Sequence, residues 1–512
     1  MSRKKILVVL LPLILALAAP VSAQRPQNRP PLTEEQKLLE AMHLVRSETL
    51  YNYVAEMVSE KYGGRLTGTP EYDACAEWVI SLLKQWGVQP GGDNGTYLQK
   101  YPNPYTLVRP GGECVLHLPV KDGTVKKFYQ YESEFIPGGT SASGEVTAEV
   151  IYVGYGITAP ELGYDDYAGV DVKGKIVLMD PEDPVPPNDK AGAFPKWRPY
   201  SFHQYKLENA AAHGAKGMIY NYGPIVNPNN SYRDGFIYHH VGAAVVADVF
   251  AGTGRTYKET VDGIRKELKP RSFATGKIMT IKNVTEHHAD GVGYNVIGVI
   301  PGTDPKLKDE IIMIGGHLDH LGRAWELMPG ADDNATAVAV GLGVAEAMAK
   351  SAVKPKRTVV FNFFGSEEQG VAGSKYYVEH PIYPLDKTLV LMNMEGPGGG
   401  GRFSASGART YPAFWAFIEN ANTKYIHRMI GGGEASYPAR PRQDSAWFFW
   451  AGVPSLTFGA SGGKEAPRPS YHTTWDRIDY IDSEGMEDMA QLFFMAIMDI
   501  ADDEAVNFRI KS

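Results

Sequence analysis

The sequence predicts an α/β protein with a largely parallel sheet and a small β-rich domain inserted into it. From Tyr294 onward, short apolar runs rich in β-branched residues alternate with helical patterns. Such alternation is typical of a parallel sheet covered by helices on both faces. Between about residues 140 and 285, short β-runs lie between Gly- and Pro-rich turns. This change of pattern indicates a separate β-rich unit.

The predicted elements follow from the spacing of apolar residues and from turn residues. A polar, Pro-rich leader over 24–31 precedes a helical pattern from Thr33 towards Glu60, and a helix over 71–86 stops at Gly87. An extended, β-prone stretch continues to about 135. The insert pattern predicts strands at 148–153, 174–179 and 217–221 and a helix at 204–213. The C-terminal pattern predicts strands at 295–300, 310–315, 358–364, 388–394 and 453–458, and helices at 336–350, 412–422 and 444–451.

We expect the chain to divide into a signal peptide at 1–23, an N-terminal part of the main domain at 24–139, an insert at 140–285 and a C-terminal part at 286–512. Three basic residues, a short apolar run over 6–19 and the small residues Val21-Ser22-Ala23 make a secretory signal. An uncleaved anchor is the alternative, but a bilayer span takes about 20 apolar residues. We therefore expect a periplasmic or extracellular protein with no stable membrane insertion after cleavage.

The composition narrows the classes of partner and of metal site. The chain carries a formal net charge of −8, which argues against nucleic-acid binding because that function needs basic patches. The sequence leaves the oligomeric state open. Cys75 and Cys114 are the two cysteines, too few for an all-thiolate zinc site. They could form one disulfide outside the cytosol, although the sequence does not show that they meet.

Five potential metal ligands lie at or shortly beyond the ends of apolar runs in the C-terminal half. They are His317, Asp333, Glu368, Glu395 and His472. Taken singly, each has an ordinary explanation, such as a helix N-cap or a surface turn. Taken together they predict a site, because ligands of parallel α/β sheets bind beyond the carboxyl ends of the strands.

Two imidazoles and three carboxylates suit two zinc ions that share one carboxylate. We expect Asp333 to bridge the metals, Glu368 and His472 to complete one of them, and His317 and Glu395 the other.

Two further acidic residues have predicted roles beside these ligands. Glu367 suits proton transfer to and from the reacting groups. Asp319, two residues after His317, is placed to orient that imidazole. By contrast, His239-His240 and His287-His288 lack partners at ligand spacing and are interpreted as turn residues.

These motifs together resemble metallopeptidase family 28, the co-catalytic di-zinc aminopeptidases. The similar segments are His317-Leu-Asp319, Gly330-Ala-Asp-Asp333-Asn, Glu367-Glu368, Asn393-Met-Glu395 and Tyr471-His472-Thr. The resemblance implies a phosphorylase/hydrolase-like α/β sandwich with a mixed, largely parallel sheet, two Zn²⁺ per chain, and removal of N-terminal residues from peptide substrates.

The resemblance also implies individual roles. Asp333 is the bridging ligand with a cis peptide bond after it, Glu367 is the general base, and Asp319 supports His317. Tyr471 is placed to help bind the oxyanion, as in some relatives. Glu395 departs from the Asp of many members, but its longer arm can still ligate.

The likeness extends over most of the mature chain. The segment Gly63-Gly-Arg65-Leu-Thr-Gly68 resembles an N-terminal motif of the family. Three segments of the insert resemble the protease-associated domain that many members carry: Tyr152-Val-Gly-Tyr-Gly156, Asp171-Val-Lys-Gly-Lys-Ile-Val and His213-Gly-Ala-Lys-Gly. Gln443-Asp444-Ser445 stands where Ser-Asp-His is usual, which still allows Asp444 a supporting role.

Three alternatives remain at this stage. A dipeptidase or carboxypeptidase is open because the same metal core serves those substrates in relatives. A mono-zinc glutaminyl cyclase-like acyltransferase is disfavoured, since His317 and Glu395 are both present. A non-catalytic peptide-binding protein is disfavoured because Glu367 and every ligand are retained.

Overall fold

The computed structural model describes residues 31–227, 231–437, 441–462 and 471–510. The predicted signal peptide at 1–23 lies outside these residues. Within them, no helix is both long enough and apolar enough to cross a bilayer.

The strands of the described residues lie between residues 89 and 461. They are β1 Gln89–Pro90, β2 Leu98–Pro102, β3 Tyr105–Val120, β4 Gly123–Phe128, β5 Phe135–Pro137, β6 Gly144–Tyr152, β7 Thr158–Ala159, β8 Tyr164–Asp165, β9 Ile176–Met179, β10 Gly217–Tyr220, β11 Ile237–Val241, β12 Phe273–His288, β13 Val292–Ile300, β14 Ile311–His317, β15 Arg323–Ala324, β16 Glu326–Leu327, β17 Thr358–Phe364, β18 Thr388–Met394, β19 Arg402–Ser406, β20 Met429–Gly433 and β21 Ser455–Ser461.

The described residues also form twelve α-helices. They are α1 Glu34–Met42, α2 Ser47–Met57, α3 Pro70–Trp86, α4 Phe194–Trp197, α5 His203–Ala212, α6 Ala243–Phe250, α7 Tyr257–Glu267, α8 Thr336–Lys350, α9 Ala372–Glu379, α10 Pro412–Ala421, α11 Ser445–Trp450 and α12 Ser483–Asp502.

Local sequence explains where the first helices begin and end. Thr33 caps α1 in a capping box with Gln36. The Thr69 hydroxyl caps α3, and Pro70 stands at the first helical position, where its missing N–H costs nothing. Gly87 ends α3 in the left-handed conformation at φ 78°.

The main sheet has nine strands in the order β1-β13-β17-β14-β18-β21-β19-β20, with β2 also paired to β13. Its centre, β17-β14-β18-β21, is parallel. The strands β13, β2 and β1 are antiparallel to their neighbours on one side, and β19 is antiparallel to β21 on the other. The sheet is therefore mixed with a parallel core, as predicted.

Helices cover both faces of this sheet. One face packs on α1, α2, α3, α8, α10 and α12 in the largest apolar cluster of the described residues. The other face packs on α9 and α11, through Tyr377 and Phe448. α8 and α12 are buried along most of their length, and this fixes the start of α8, which lies beside the predicted ligands.

A second sheet of ten strands runs β16-β15-β3-β12-β6-β9-β10-β11-β5, with β4 paired to β3. It contains β6, β9, β10, β11 and β12 of the predicted insert, together with β3, β4 and β5, which precede residue 140, and β15 and β16, which follow residue 285. The strands β7 and β8 of the insert form a separate two-stranded sheet. The long antiparallel strands β3 and β12 carry the chain into and out of this unit.

The structure corrects one prediction about histidine pairs and answers the question of a disulfide. The prediction of turns at His239-His240 and His287-His288 is wrong. The first pair lies in β11, which is buried at every position, and the second lies at the end of β12, where it pairs with Thr106 and Tyr105 of β3. Cys75 and Cys114 are buried in different apolar clusters and are not bonded to each other.

Candidate metal centre

The predicted ligands converge at the carboxyl end of the parallel strands. His317 is the last residue of β14, and Glu395 follows β18 directly. Glu368 lies in the turn after β17, and Asp333 in the short π-helical turn 331–335 that leads into α8. His472 follows β21 after the segment 463–470, which the structure does not describe.

Asp333 stands between two groups of side chains. Its Oδ1 lies 3.2 Å from His317 Nε2, and that nitrogen lies 3.4 Å from Glu395 Oε2. Its Oδ2 lies 3.3 Å from His472 Nε2, which lies 3.0 Å from Glu368 Oε2. The two oxygens of one carboxylate thus face histidines of two different groups.

The donor atoms fit a pair of cations. Glu395 Oε1 is buried and makes no hydrogen bond to any described residue, and the buried atoms His472 Nε2 and Glu368 Oε1 face only other charged groups of the site. Buried polar atoms are almost always hydrogen-bonded, so this cluster of exceptions requires an explanation. Nitrogen and carboxylate donors at this spacing are the ligands that zinc prefers.

His320 belongs to this site and was missed by the sequence analysis. It is fully buried, and its Nδ1 lies 2.8 Å from Glu368 Oε1. Two groups of three have donor atoms within 4.8 Å of one another: His317, Asp333, Glu395 and His320, Asp333, Glu368. The available signal was its place directly after Asp319 in His-Leu-Asp-His.

The carboxylates and imidazoles shift one another's pKa values. Burial alone would lower the pKa of His472, but the charge of Glu368 raises it to about 10. Burial would raise the pKa of Glu368, but the charge of His472 holds it at about 2. Hydrogen bonding to His317 and His472 keeps the pKa of Asp333 well below its usual range, against the effect of burial. Positive charge is therefore needed here, and bound cations would supply it in place of protons.

Glu367 is half-buried beside Glu368. Burial raises its pKa well above the usual range, and the charges of Glu395, Glu368 and Asp444 add to the rise against the opposing charge of His317. Asp444 is fully buried, and burial raises its pKa to about 8.

Asp319 contacts its predicted partner mainly through the main chain. His317 Nδ1 lies 3.0 Å from the Asp319 carbonyl oxygen and 3.6 Å from the nearer carboxylate oxygen. The Asp319 carboxylate instead accepts the N–H groups of Glu367 at 3.1 Å and Glu368 at 3.3 Å. It therefore holds the turn that carries both glutamates.

Arg65 and Asp476 also hold the ligand loops. The fully buried guanidinium of Arg65 donates to main-chain oxygens on both sides of the site. The acceptors are Leu318 at 3.0 Å, Met57 at 2.9 Å, Pro329 at 2.8 Å and Gly330 at 2.8 Å. The carboxylate of Asp476 accepts the N–H groups of Asp332 and Asp333 at 2.9 and 3.0 Å.

One other expectation from the resemblance is confirmed, and a second stays open. The peptide bond between Asp333 and Asn334 is cis, as expected. The ring of Tyr471 stacks on His472 with centroids 3.5 Å apart, and its side chain is exposed. The oxyanion role of Tyr471 stays a prediction.

Comparison with known sequences identifies both parts of the chain. Residues 295–497 match the profile of peptidase family M28, and residues 146–248 match that of the PA domain. An aminopeptidase of Pseudomonas aeruginosa is 26% identical over 465 residues, which cover 84% of this chain and 76% of the relative.

Comparison with solved structures gives the same fold. An aminopeptidase from Aneurinibacillus sp. strain AM-1 superposes with a TM-score of 0.62 at 22% identity, over 90% of this chain and 95% of the other. A zinc aminopeptidase from Bacillus subtilis gives a TM-score of 0.59 at 19% identity, over 91% and 98% of the two chains. The chain therefore carries a peptidase family M28 domain and a PA domain, and it is a metallo-exopeptidase.

Proposed function

We propose that this protein is an exported di-zinc aminopeptidase that removes residues from the free amino end of peptides. The observation that carries the proposal is the position of Asp333, whose two carboxylate oxygens face His317 and His472 at 3.2 and 3.3 Å. A carboxylate placed in this way is the shared ligand that a two-metal site requires.

His317 and Glu395 would hold one zinc ion, Glu368 and His472 the other, and Asp333 both. The nearby His320 lies close enough to Glu368 to support or replace a ligand in the second group. When bound, two zinc ions polarise a scissile carbonyl and lower the pKa of water towards about 7. Zinc itself is supported by the ligand chemistry and by the similar fold of the Bacillus subtilis zinc aminopeptidase.

Glu367 would move the proton in this reaction. Its main-chain N–H donates to the Asp319 carboxylate, and Glu367 directly precedes the proposed ligand Glu368 in the same turn. A carboxyl group whose pKa is raised by burial can accept a proton and return it to the departing amine at neutral pH.

The excess of acidic groups favours a substrate with a free amino terminus. Seven carboxylic acids lie in or directly around the site: Asp319, Asp333, Glu367, Glu368, Glu395, Asp444 and Asp476. Two bound Zn²⁺ would offset four of these charges and favour the ionised form of the acids, and the remaining negative charge would attract a substrate ammonium group and repel a terminal carboxylate. The Pseudomonas aeruginosa relative is named an aminopeptidase, which agrees with this choice.

Export is proposed from the sequence of residues 1–23. N-terminal sequencing of the mature protein, purified from the producing cell's exterior or periplasm, should begin at Gln24. A chain that retains Met1 in the cytosol would contradict export and leave the peptidase proposal intact.

A set of leucyl peptides blocked at one end distinguishes the possible exopeptidases. We expect cleavage when the carboxyl end is amidated and no cleavage when the amino end is acetylated. The opposite pattern would identify a carboxypeptidase, and a requirement for two free ends in a dipeptide would identify a dipeptidase. Cyclisation of an N-terminal glutamine without hydrolysis would indicate the acyltransferase.

A further inference from the structure

The inserted domain contacts the metal site at the main chain of Val226, which lies within the PA match. His472 Nδ1 donates to the Val226 carbonyl oxygen at 2.7 Å, and the Val226 N–H donates to the His472 carbonyl oxygen at 3.1 Å. One residue of the insert thus holds both the ring and the backbone of a proposed ligand.

This contact decides which ring nitrogen is available to a metal. A carbonyl oxygen can only accept, so Nδ1 of His472 carries the proton and the lone pair is on Nε2. Nε2 is the atom that lies 3.0 Å from Glu368 Oε2 and 3.3 Å from Asp333 Oδ2. The backbone of His472 is also in the left-handed region at φ 60°, which a non-glycine residue keeps only when its surroundings hold it there.

Val226 is itself held by the second sheet. The preceding carbonyl, that of Ile225, accepts from Nδ1 of His240 at 2.7 Å. His240 lies in β11, and its Nε2 lies 3.2 Å from His203 Nε2. The Val226 side chain is buried in a small apolar cluster with Ile136, Leu321, Ala324 and Met328.

A second segment of this sheet holds the chain two residues beyond His472. Thr474 donates its N–H to the Glu132 carboxylate at 3.1 Å, and its hydroxyl donates to the same oxygen. Glu132 lies between β4 and β5. The residues 472–474 are therefore fixed from two separate points of the second sheet.

We propose that the inserted domain is a structural part of the metal centre. Through contacts from His240 to Ile225 and from Val226 to His472, it fixes the tautomer and orientation of His472. It thereby sets the metal affinity of the half formed by Glu368 and His472. The half formed by His317 and Glu395 does not contact this chain of residues in the described structure. The inference rests on the proposed two-metal assignment. His240 is a positioning residue, since it acts through Val226.

Two substitutions of His240 isolate the hydrogen bond to Ile225. His240→Leu fills the space without a donor, whereas His240→Asn keeps an N–H donor near the position of Nδ1. Both remove the contact with His203, so a difference between them reports the Ile225 bond alone. His239→Leu is the matched control, because His239 is equally buried in the same strand and bonds instead to Asn283 at 2.8 Å.

The measurement is a titration of the metal-free full-length chain with Co²⁺, followed by visible absorption, with thermal unfolding in chelator as a check on folding. Wild type should bind two equivalents, and His472→Gln should lose one step. In His240→Leu that same step should weaken 10- to 100-fold while the other stays unchanged. His240→Asn should recover most of the affinity, and His239→Leu should behave as wild type.

Three results would overturn the inference. Unchanged affinity for both equivalents in His240→Leu would show that His472 needs no support from the insert. Equal weakening of both steps, seen also in His239→Leu, would show a general loss of stability. Fewer than two equivalents in wild type would overturn the two-metal assignment, and the inference with it.

Discussion

Replacing Arg65 by Met should destabilise the protein and weaken metal binding together. Methionine has a similar length, but it removes the charge and all the donors of a fully buried guanidinium. Four main-chain oxygens would lose their partner, and three of them, on Leu318, Pro329 and Gly330, lie close to His317 or Asp333 in the chain.

The size of the effect follows from those four contacts. A hydrogen bond to a charged group contributes about 1.5–3 kcal/mol, and breaking a buried charged network costs about 3–5 kcal/mol in total because the contributions do not add. We expect a loss of about 4 kcal/mol in the free energy of unfolding. At about 2.1 cal/mol/K per residue, unfolding of the 512-residue chain has an entropy of about 1 kcal/mol/K, so the melting temperature should fall by about 4 °C.

Arg357→Met is the matched control for Arg65→Met. Arg357 is 1% exposed and donates to the main-chain oxygens of Ile500, Ala501 and Asp503. It precedes β17, and the glutamate turn follows the other end of that strand, about 20 Å away at about 3.3 Å per residue.

Calorimetry and Zn²⁺ titration of both variants separate the two effects. Arg357→Met should lose comparable stability and keep its zinc affinity, whereas Arg65→Met should lose both. Equal zinc affinity in the two variants, or a melting temperature of Arg65→Met within 2 °C of wild type, would refute the role assigned to Arg65.

Three further predictions follow from the site and its surroundings. Asp476→Asn should weaken zinc binding and cost about 2 kcal/mol in unfolding free energy. The N–H groups of Asp332 and Asp333 donate to different oxygens of Asp476, and an amide keeps only one of these acceptors. Retained affinity in a zinc titration would contradict this. Removing metal with a chelator should lower the melting temperature, and Zn²⁺ at about 100 times its dissociation constant should restore about 2.7 kcal/mol of stability for each site filled. A melting curve unaffected by chelator would count against a built site. Burial lowers the pKa of His239 to about 4, below the unfolded value of about 6.5, so stability should be lost as pH falls from about 6.5 through about 4. Denaturant unfolding of His239→Leu should therefore show a flatter pH profile than wild type. Identical profiles would argue against this.

The sequence predicted the elements that bury continuous apolar runs. The strands expected at 358–364 and 388–394 are β17 and β18, and the helix expected at 336–350 is α8. Residues that follow such strands could be placed at one edge of the sheet, and for this reason the ligands were found. The strands β19 and β20, the last two on one side of the main sheet, were not predicted, since their Gly and Ser residues carry no apolar pattern.

The residues that the sequence analysis missed act through contacts without a sequence pattern. His320 adjoins a recognised motif, but a single histidine gives no spacing by which to judge it. Val226 acts through its main chain, so its side-chain type carries no information about His472. His240 was assigned to a turn because His239-His240 lacks partners at ligand spacing, whereas β11 buries both residues.

The di-zinc site with Glu367 as its base is tested by measuring zinc content per chain in wild type and Glu367→Ala. Cleavage of a leucyl peptide is measured on the same samples. We expect two zinc ions in both proteins and cleavage from the amino end by wild type alone. Wild-type protein that holds one zinc ion or none when supplied with metal, or Glu367→Ala that cleaves as fast as wild type, would contradict it.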